Sequence, residues 1–214
     1  MQWPTVDEIS AMVPLPDGYR YARVQTSDIG PLIAHLRAWF PGVSVGAGSV
    51  YLTEKFYHDD VVLGEDADKN VLALLIWQGD EIAGMGSWER QPDALTIYVR
   101  LGAIAPAHRG TKLAVLAMEL GEKMGLAMGA GFIYGLATMK LPYMQMALER
   151  AGYQLIGFMP GYDREEVSPG VVKRVFEAAY AKRLAHADDF LDPDDKNMTP
   201  TTRRLFRAIF HPEQ

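Results

Sequence analysis

The chain has 214 residues, of which 49% are hydrophobic and 22% are charged, a balance typical of one folded domain with a short appended segment. The formal net charge of -6 disfavours general nucleic-acid binding, which usually requires a basic face. The absence of cysteine excludes disulfide bonds, thiolate metal sites and a cysteine nucleophile. The N-terminus lacks the basic and apolar regions of a signal peptide, and no apolar run is long enough for a membrane span, so we expect a cytoplasmic protein without a membrane partner.

The N-terminal third combines irregular segments with one strand and two helices. Residues 1–18 contain three prolines and are expected to be a lead-in that lies along the domain. A strand is predicted over 19–25, and apolar residues at helical spacing predict a helix over 29–40, which a Pro-Gly pair ends. We expect a second, shorter helix over 49–59 and a polar loop over 64–70.

The rest of the chain predicts a sheet interleaved with helices. The predicted elements are, in order, strands over 71–77, 81–89 and 95–101, a helix from about 111 to 129, a strand over 132–138, a helix over 142–151, strands over 153–159 and 171–184, a linker over 186–197 and an amphipathic helix capped by Thr199 or Thr201. Pro160 and Gly161 are expected to turn the chain after residue 159. We therefore expect an α/β mixed sheet with helices on its faces over residues 1–184, followed by a linker and helix over 185–214.

One row of the long predicted helix carries almost no side chain. Ala117, Gly121, Gly125 and Gly129 recur every four residues, so they share one side of the helix. Glycine in a helix costs about 1 kcal/mol relative to alanine. We expect the row to be explained by close packing of the helix on the sheet.

The turn before this helix predicts a seat for a phosphate group. A strand over 95–105 is followed by a loop over 106–110 and then by a helix that begins near Thr111. The start of a helix leaves backbone N–H groups without partners and carries partial positive charge, so strand, short turn and helix together can bind an anion. Arg109 and Lys112 would add positive charge beside it.

At these residues the sequence resembles the GNAT superfamily of N-acetyltransferases. The family's cofactor motif is Gln/Arg-x-x-Gly-x-Gly/Ala after a strand that ends in an apolar residue and proline. Here Arg109 occupies its first position, Lys112 replaces its first glycine, and Ala114 occupies its last position. The segment 148–153, Leu-Glu-Arg-Ala-Gly-Tyr, is similar to the family's late Tyr-x-x-x-Gly-Phe segment, and the predicted order of elements is the family's order.

The resemblance implies acyl transfer from acetyl-CoA or another acyl-CoA, without a metal. The pantetheine arm would pair with the strand end at Ala103, Ile104 and Ala105. The pyrophosphate would take backbone N–H groups from the turn, whose residues are Arg109, Gly110, Thr111, Lys112, Leu113 and Ala114.

Direct transfer also requires groups that move protons, because a primary amine with a pKa near 10.4 must lose a proton before it attacks. The family's late-helix tyrosine and the asparagine seven residues before it fall on Leu148 and Leu141. The remaining catalytic candidates are Tyr143 and Glu89, although packing and a solvated surface position are the alternatives for them.

An acceptor pocket is expected on the polar side of the central strand. Tyr98 and Arg100 lie there, and Arg100 would receive a carboxylate of the acceptor or be buried with a structural partner. His108 is interpreted as part of the loop structure beside the phosphates. The acceptor itself would be a small molecule with a primary amine.

Other sites find no support. The five histidines lack metal-ligand spacing; they are His35, His58, His108, His186 and His211. The last helix is expected to pack on the domain or on a second copy of the chain, as a homodimer, rather than to bind nucleic acid. Two functions follow, an N-acyltransferase or a non-catalytic acyl-CoA-binding module that regulates a protein partner.

Overall fold

The computed structural model describes residues 1–64 and 68–210, so residues 65–67 of the polar loop and His211 lie outside the described residues. The helices are α1 (Val6–Met12), α2 (Ile29–Trp39), α3 (Glu54–Asp60), α4 (Leu113–Ala127), α5 (Tyr143–Arg150) and α6 (Pro200–Phe210). The strands are β1 (Tyr19–Arg23), β2 (Val71–Gln78), β3 (Glu81–Gln91), β4 (Thr96–Ile104), β5 (Phe132–Thr138), β6 (Gln154–Ser168) and β7 (Val171–Arg183). None of these helices is both long enough and apolar enough to cross a membrane.

The seven strands form one mixed sheet in the order β1-β2-β3-β4-β5-β7-β6. All neighbours are antiparallel except β4 and β5, which run parallel. The parallel ladder joins only Thr96–Val99 of β4 to Phe132–Gly135 of β5, although β4 continues to Ile104 and β5 to Thr138. The predicted α/β mixed sheet is confirmed, and its two central strands diverge into a cleft at their carboxyl ends.

Different helices cover the two faces of the sheet. The first face, which we call the α4 face, packs against α1, α4 and α5 around residues such as Leu120 and Leu148. The second, which we call the α2 face, packs against α2, α3 and the 3-10 turns between them, around residues such as Leu32 and Tyr57. Both layers bury apolar surface, which is the main favourable term in folding.

The glycine row of α4 packs against the sheet, as predicted. A Cβ built on Gly121 would lie 2.6 Å from Nε1 of Trp88, and one on Gly125 would lie 2.7 Å from Cδ1 of Leu184. These distances are too short for a side chain, so only glycine allows the helix to approach this closely. Gly129 differs, because its φ of +74° places it in the turn that ends α4.

The lead-in prediction was wrong, because residues 1–18 contain the helix α1. The Thr5 side chain accepts a hydrogen bond from the backbone N–H of Glu8, and the Glu8 carboxylate accepts one from the backbone N–H of Thr5. This capping box begins the helix, and the three prolines lie outside it. Ile9 anchors α1 in the core, where it is fully buried.

The predicted end of β6 was also wrong, because the strand runs on to Ser168. Met159 pairs with Glu177 and Asp163 with Val175, so three residues of β6 oppose one residue of β7 and form a bulge. Proline has no N–H for the ladder and Gly161 has a φ of +71°, so the pair kinks the strand instead of ending it. The hairpin turns at Pro169 and Gly170.

The final strand and the last helix are where the sequence predicts them. Thr199 caps α6 by accepting a hydrogen bond from the backbone N–H of Thr202 (3.2 Å). The helix contacts β6, and Arg203 and Arg207 form ion pairs with Asp195 in the linker. These arginines therefore serve a local structural purpose.

Candidate functional site

The turn between β4 and α4 has an unusual backbone path. Arg109 is extended, Gly110 adopts a φ of +80°, and Lys112 already has helical angles of -78° and -2°. A φ of +80° strains any residue with a side chain, so Gly110 allows the chain to curl here. Helix α4 begins at Leu113, two residues later than predicted, and the lysine at the motif's glycine position needs no positive φ.

This turn presents a row of backbone donors that have no partner. The first N–H of α4 that reaches a carbonyl is that of Leu116, which donates to Lys112 at 2.9 Å. Within the described chain, the free N–H groups belong to Gly110, Thr111, Lys112, Ala114 and Val115. The Lys112 side chain is exposed and has no ion pair with a described residue. Free donors, helix dipole and lysine together form an anion seat.

The side chains of the loop fix this seat to the domain. His108 is buried, its Nδ1 lies 3.0 Å from the Tyr19 hydroxyl, and its carbonyl accepts a hydrogen bond from the Thr111 hydroxyl at 2.7 Å. The Arg109 guanidinium donates to the Trp39 carbonyl at 3.0 Å and lies over the Phe40 ring. The Arg109 side chain therefore braces the turn, with its guanidinium engaged by the Trp39 carbonyl. His108 has the structural role expected of it.

The cleft between β4 and β5 begins beside this seat. Beyond Val99, β4 pairs only with β3, so its edge toward β5 has no strand partner. Gly102 lies at this edge, and a Cβ built on it would meet Cε of Met144 at 2.7 Å. A methionine tip is flexible, so the cleft is bordered by a side chain that can move. Ala103 and Ile104, predicted to face the pantetheine arm, lie on this strand.

Next to the cleft, the α2 face of the sheet is open to solvent. Over residues 97–100 of β4 and 133–138 of β5, the residues that point to the α4 face are buried, whereas those that point to the α2 face are only half-buried. The half-buried residues are Tyr98, Arg100, Tyr134, Leu136 and Thr138. Central strands of a sheet are normally covered on both faces, so this half-burial leaves part of the α2 face open to solvent, and we call the region that these five residues border the hollow.

Two predicted site residues form an ion pair in this hollow. Arg100 is the bulged residue of β4, and its guanidinium donates to the Glu89 carboxylate and lies over the rings of Tyr51 and Phe56. The Tyr51 hydroxyl lies 2.6 Å from the Ser87 hydroxyl. Burial raises the pKa of Tyr51, so its phenol stays protonated. The alternative of a structural partner for Arg100 thus matches the structure.

The third residue, Tyr98, is part of an aromatic wall. Its ring stacks on that of Tyr134 with 4.8 Å between centroids, and Gln91 donates to the Tyr134 hydroxyl at 3.2 Å. Burial raises the pKa of Tyr98, and the nearby Tyr162 of β6 adds to the shift. The hollow is therefore bordered by stacked aromatic rings.

Tyr143 stands apart from these residues. It is the first residue of α5, its side chain is 71% exposed, and it has no hydrogen bond or ring contact with the described residues. Leu148, at the family's tyrosine position, is buried in the core, and Leu141 is exposed. The structure brings Glu89, Tyr98 and Arg100 together and gives Tyr143 no contact with them.

Sequence reasoning missed Glu177, a buried carboxylate at the same hollow. It is 6% exposed and has no side-chain hydrogen bond or ion pair with residues 1–64 or 68–210. Burial raises its pKa to about 7, and the charges of Asp163 and Glu165 contribute. A glutamate inside the apolar run Val-Phe-Glu-Ala-Ala was the available signal. Among the described residues, no group of three His, Asp or Glu side chains could hold a metal ion.

Comparison of structures relates this fold to acetyltransferases, although the sequence matches no family model and no curated protein. RimL, a ribosomal alpha-N-protein acetyltransferase solved with coenzyme A, has a TM-score of 0.61 and 11% identity, and the match covers 80% of this chain and 97% of that chain. The spermidine N-acetyltransferase SpeG from Vibrio cholerae, solved with CoA and spermine, has a TM-score of 0.60 and 10% identity, with 79% and 97% covered.

A GNAT acetyltransferase-like protein from Desulfovibrio desulfuricans is similar to the same extent. Its TM-score is 0.60 at 14% identity, and the match covers 78% of this chain and 99% of that chain. The chain therefore has the GNAT fold, and the resemblance inferred from the turn and the order of elements is confirmed at the level of fold.

Proposed function

We propose that the protein is an acyl-CoA-dependent N-acyltransferase that moves an acetyl or other acyl group directly to the primary amine of a small molecule or amino-acid-like acceptor. The observation that carries the proposal is the row of free N–H groups at the start of α4, beside a cleft between two diverging strands. The N-acetyltransferases with the same fold support it, and SpeG, solved with CoA and spermine, supports a small amine as acceptor.

The turn fits the pyrophosphate of CoA. Gly110, Thr111, Lys112 and Ala114 would supply the backbone N–H groups, and the Lys112 side chain would add a charge. Arg109 and Leu113 would contribute less, because the N–H of Arg109 already donates to Pro106 and that of Leu113 makes a long contact with the Thr111 hydroxyl.

The strand edge fits the pantetheine arm, whose amides need hydrogen-bond partners. Ala103 and Ile104 lie on the part of β4 that has no partner on the β5 side. Ala105 follows them and would contribute less, because its N–H donates to the Ala83 carbonyl and its carbonyl accepts from the N–H of His108, both at 2.9 Å. CoA bound in this way supplies the activated thioester, and the protein supplies position and proton transfer.

The acceptor would enter from the open α2 face, between Tyr98 and the ion pair of Arg100 and Glu89. Glu89 remains a proposed base, acting from within that pair or through water, and Tyr143 remains a proposed acid for the departing sulfur. Tyr98 and Arg100 would line the acceptor pocket. The cytoplasmic location and the homodimer also stay predictions.

Thiol release tests the proposal. Purified protein is incubated with acetyl-CoA and a panel of primary amines, and free CoA thiol is measured against a sample without acceptor. We expect thiol release that depends on one class of amine and that Lys112→Glu slows at low acetyl-CoA. Tight CoA binding without turnover on any amine would contradict the transferase.

The alternative is a non-catalytic acyl-CoA-binding module that acts through a protein partner. It is favoured by the leucines at positions 141 and 148 and by the apolar side chains of α6, of which Leu205 is 53% and Phe210 40% exposed. Affinity capture with the full chain and with a Leu205→Asp, Phe210→Asp variant tests it. If both proteins capture the same partners, α6 is not the contact.

A further inference from the structure

We infer that Glu177 is the proton acceptor for acyl transfer, and that the acceptor is a cationic amine whose ammonium group binds in the hollow before Glu177. This inference rests on the proposed function, assigns the base to Glu177 instead of Glu89, and adds the charge class of the substrate. The register of the sheet gives the position of Glu177. Its lack of a partner among the described residues and the charges around it indicate its role.

The register places Glu177 beside the cleft and on the open face. Glu177 pairs with Thr138, the last residue of β5, three residues beyond the point where β5 leaves β4. At a rise of ~3.3 Å per residue, it lies about 10 Å past the end of the parallel ladder. Paired residues of neighbouring strands point to the same face, so Glu177 shares the α2 face with Thr138 and Tyr134.

The position of Tyr180 on β7 also indicates that Glu177 points to the α2 face. Tyr180 points to the opposite face, where its hydroxyl donates to Glu149 of α5 at 2.8 Å. Because side chains alternate along a strand, Glu177 must point away from α5. It therefore lies on the α2 face, the side of the hollow, and not in the packed layer around α4.

Glu177 is the one acidic side chain among the described residues that is more than nine-tenths buried, and it has no hydrogen bond or ion pair with a described residue. Its carboxylate oxygens keep some contact with solvent, so the group is largely desolvated and yet within reach of a ligand. The same burial raises its pKa to about 7, which suits a base that works near neutral pH.

The charges that act on Glu177 are negative, and two cations of this region, Lys140 and Arg174, are already engaged elsewhere. Asp163 and Glu165 of β6 both repel the ionised form of Glu177. Lys140 is bound to Glu165 at 2.5 Å, and the Arg174 guanidinium is turned to the Gly161 carbonyl at 2.9 Å. A cationic ligand would relieve this repulsion, whereas a carboxylate ligand would increase it.

The walls of the hollow suit a cation as well. Tyr98 and Tyr134 present stacked rings, and Tyr162 from the bulge of β6 influences Tyr98 electrostatically. Aromatic faces attract ammonium groups within about 6 Å of the ring centre. Arg100, which would otherwise attract an anionic acceptor, already holds Glu89.

The proton balance of the step is simple. Glu177 takes one proton from the acceptor ammonium, and the neutral nitrogen attacks the carbonyl carbon of the thioester. The C–N bond forms, the C–S bond breaks, and the second proton of the nitrogen passes to the departing sulfur. Glu177 then releases its proton to solvent, so the products are an amide, a thiol and one proton.

The experiment measures cation binding and turnover in the same proteins. Wild type, Glu177→Gln, Glu177→Asp and the control Glu81→Gln, which removes an exposed carboxylate at the β2–β3 turn, are saturated with CoA and titrated with 1,4-diaminobutane or β-alanine by calorimetry. We expect wild type and control to bind diaminobutane and to prefer it to β-alanine, and Glu177→Gln to lose about tenfold in affinity.

Turnover on acetyl-CoA with the same amines separates a proton acceptor from a structural residue. Glu177→Gln should lower kcat about a hundredfold or more, remove the rise of kcat/KM with pH near 7, and leave CoA binding unchanged. Glu177→Asp should recover part of kcat and keep the rise.

The failures are distinguishable. If CoA does not bind to wild type, the proposed function fails. If CoA binds but diaminobutane does not, or if Glu177→Gln matches wild type in both assays, the inference about Glu177 is overturned. A preference for β-alanine would overturn the charge class alone.

Discussion

Reversing the charge of Lys112 should weaken CoA binding far more than the same change elsewhere on α4. Lys112 is exposed, has no ion pair among the described residues and precedes the first residue of the helix, beside the free N–H groups of the turn. One pair of unit charges 4 Å apart is worth about 1 kcal/mol in water. Lys112→Ala should thus weaken CoA binding about fivefold, and Lys112→Glu about thirtyfold.

Lys123 provides the matched control. It is exposed on the same helix, about 16 Å further along its axis at a rise of ~1.5 Å per residue, which exceeds the Debye length of ~10 Å at 0.1 M salt. Lys123→Glu changes the net charge by the same amount and should leave the affinity within about twofold.

Calorimetric titration with CoA at low and high salt measures both variants. At 1 M salt the Debye length falls to about 3 Å, so the difference between Lys112→Glu and wild type should shrink to about threefold or less. If Lys112→Glu binds CoA as wild type does at low salt, or if Lys123→Glu weakens binding equally, the pyrophosphate does not lie at the start of α4.

Three further predictions concern stability, measured by denaturant unfolding. Gly121→Ala should destabilise the protein by about 1 to 2 kcal/mol, despite the better helix propensity of alanine, because the new methyl would meet the buried Trp88 ring. The control Gly30→Ala, whose methyl meets nothing within 4 Å, should stabilise the protein by about 0.5 kcal/mol. Equal effects of the two substitutions would contradict the packing argument. Thr5→Ala should cost about 1 kcal/mol through the lost capping box, and no loss would show that α1 does not depend on it. Glu177 has a pKa raised from 4.5 to about 7, so the folded state holds a proton that the unfolded state releases, and stability should fall by about 2 to 3 kcal/mol as pH rises from 4.5 to 7. Glu177→Gln should remove that fall, and a variant with the same pH profile of stability as wild type would refute the raised pKa of Glu177.

The sequence predicts elements well where a pattern is local. The run over 71–77 is apolar at every position, and it forms the buried strand β2. The turn at 106–112 is predictable because proline, glycine and a following apolar stripe each have a local meaning. In contrast, the capping box of α1 spans only Thr5 to Glu8 and is easily overlooked among three prolines.

The β6–β7 hairpin shows where local patterns mislead. A Pro-Gly pair ends most strands, but here the chain continues past Gly161 because β7 supplies a pairing partner on both sides of the bulge. That partner comes from residues 171–183, so the outcome depends on tertiary pairing that a local pattern does not contain. The same is true of Glu177, whose burial depends on Thr138 and Met159 on the neighbouring strands.

The backbone turn of the candidate site was predictable from sequence, whereas the surroundings of the proposed acceptor were not. The seat depends on backbone geometry, which a glycine and a helix start determine locally. The hollow depends on half-buried residues of β4 and β5 that share a face with the β6–β7 hairpin. Tyr98 and Glu177 are far apart in sequence, so no local pattern indicates that they lie on the same face. Glu89 and Arg100 were each proposed for the site from sequence, but their mutual ion pair could be read only from the register and bulge of β4.

The leucine at position 148 weighs less against catalysis than it does from sequence alone. A polar group there would lie in a packed core, since Leu148 is 1% exposed, and the chain has instead a buried carboxylate on the other face of the sheet. A module that only binds acyl-CoA has no use for a largely buried Glu177, whose raised pKa lowers stability at neutral pH. Proteins retain such costs mainly at functional sites, so the buried charge favours the transferase over the binding module.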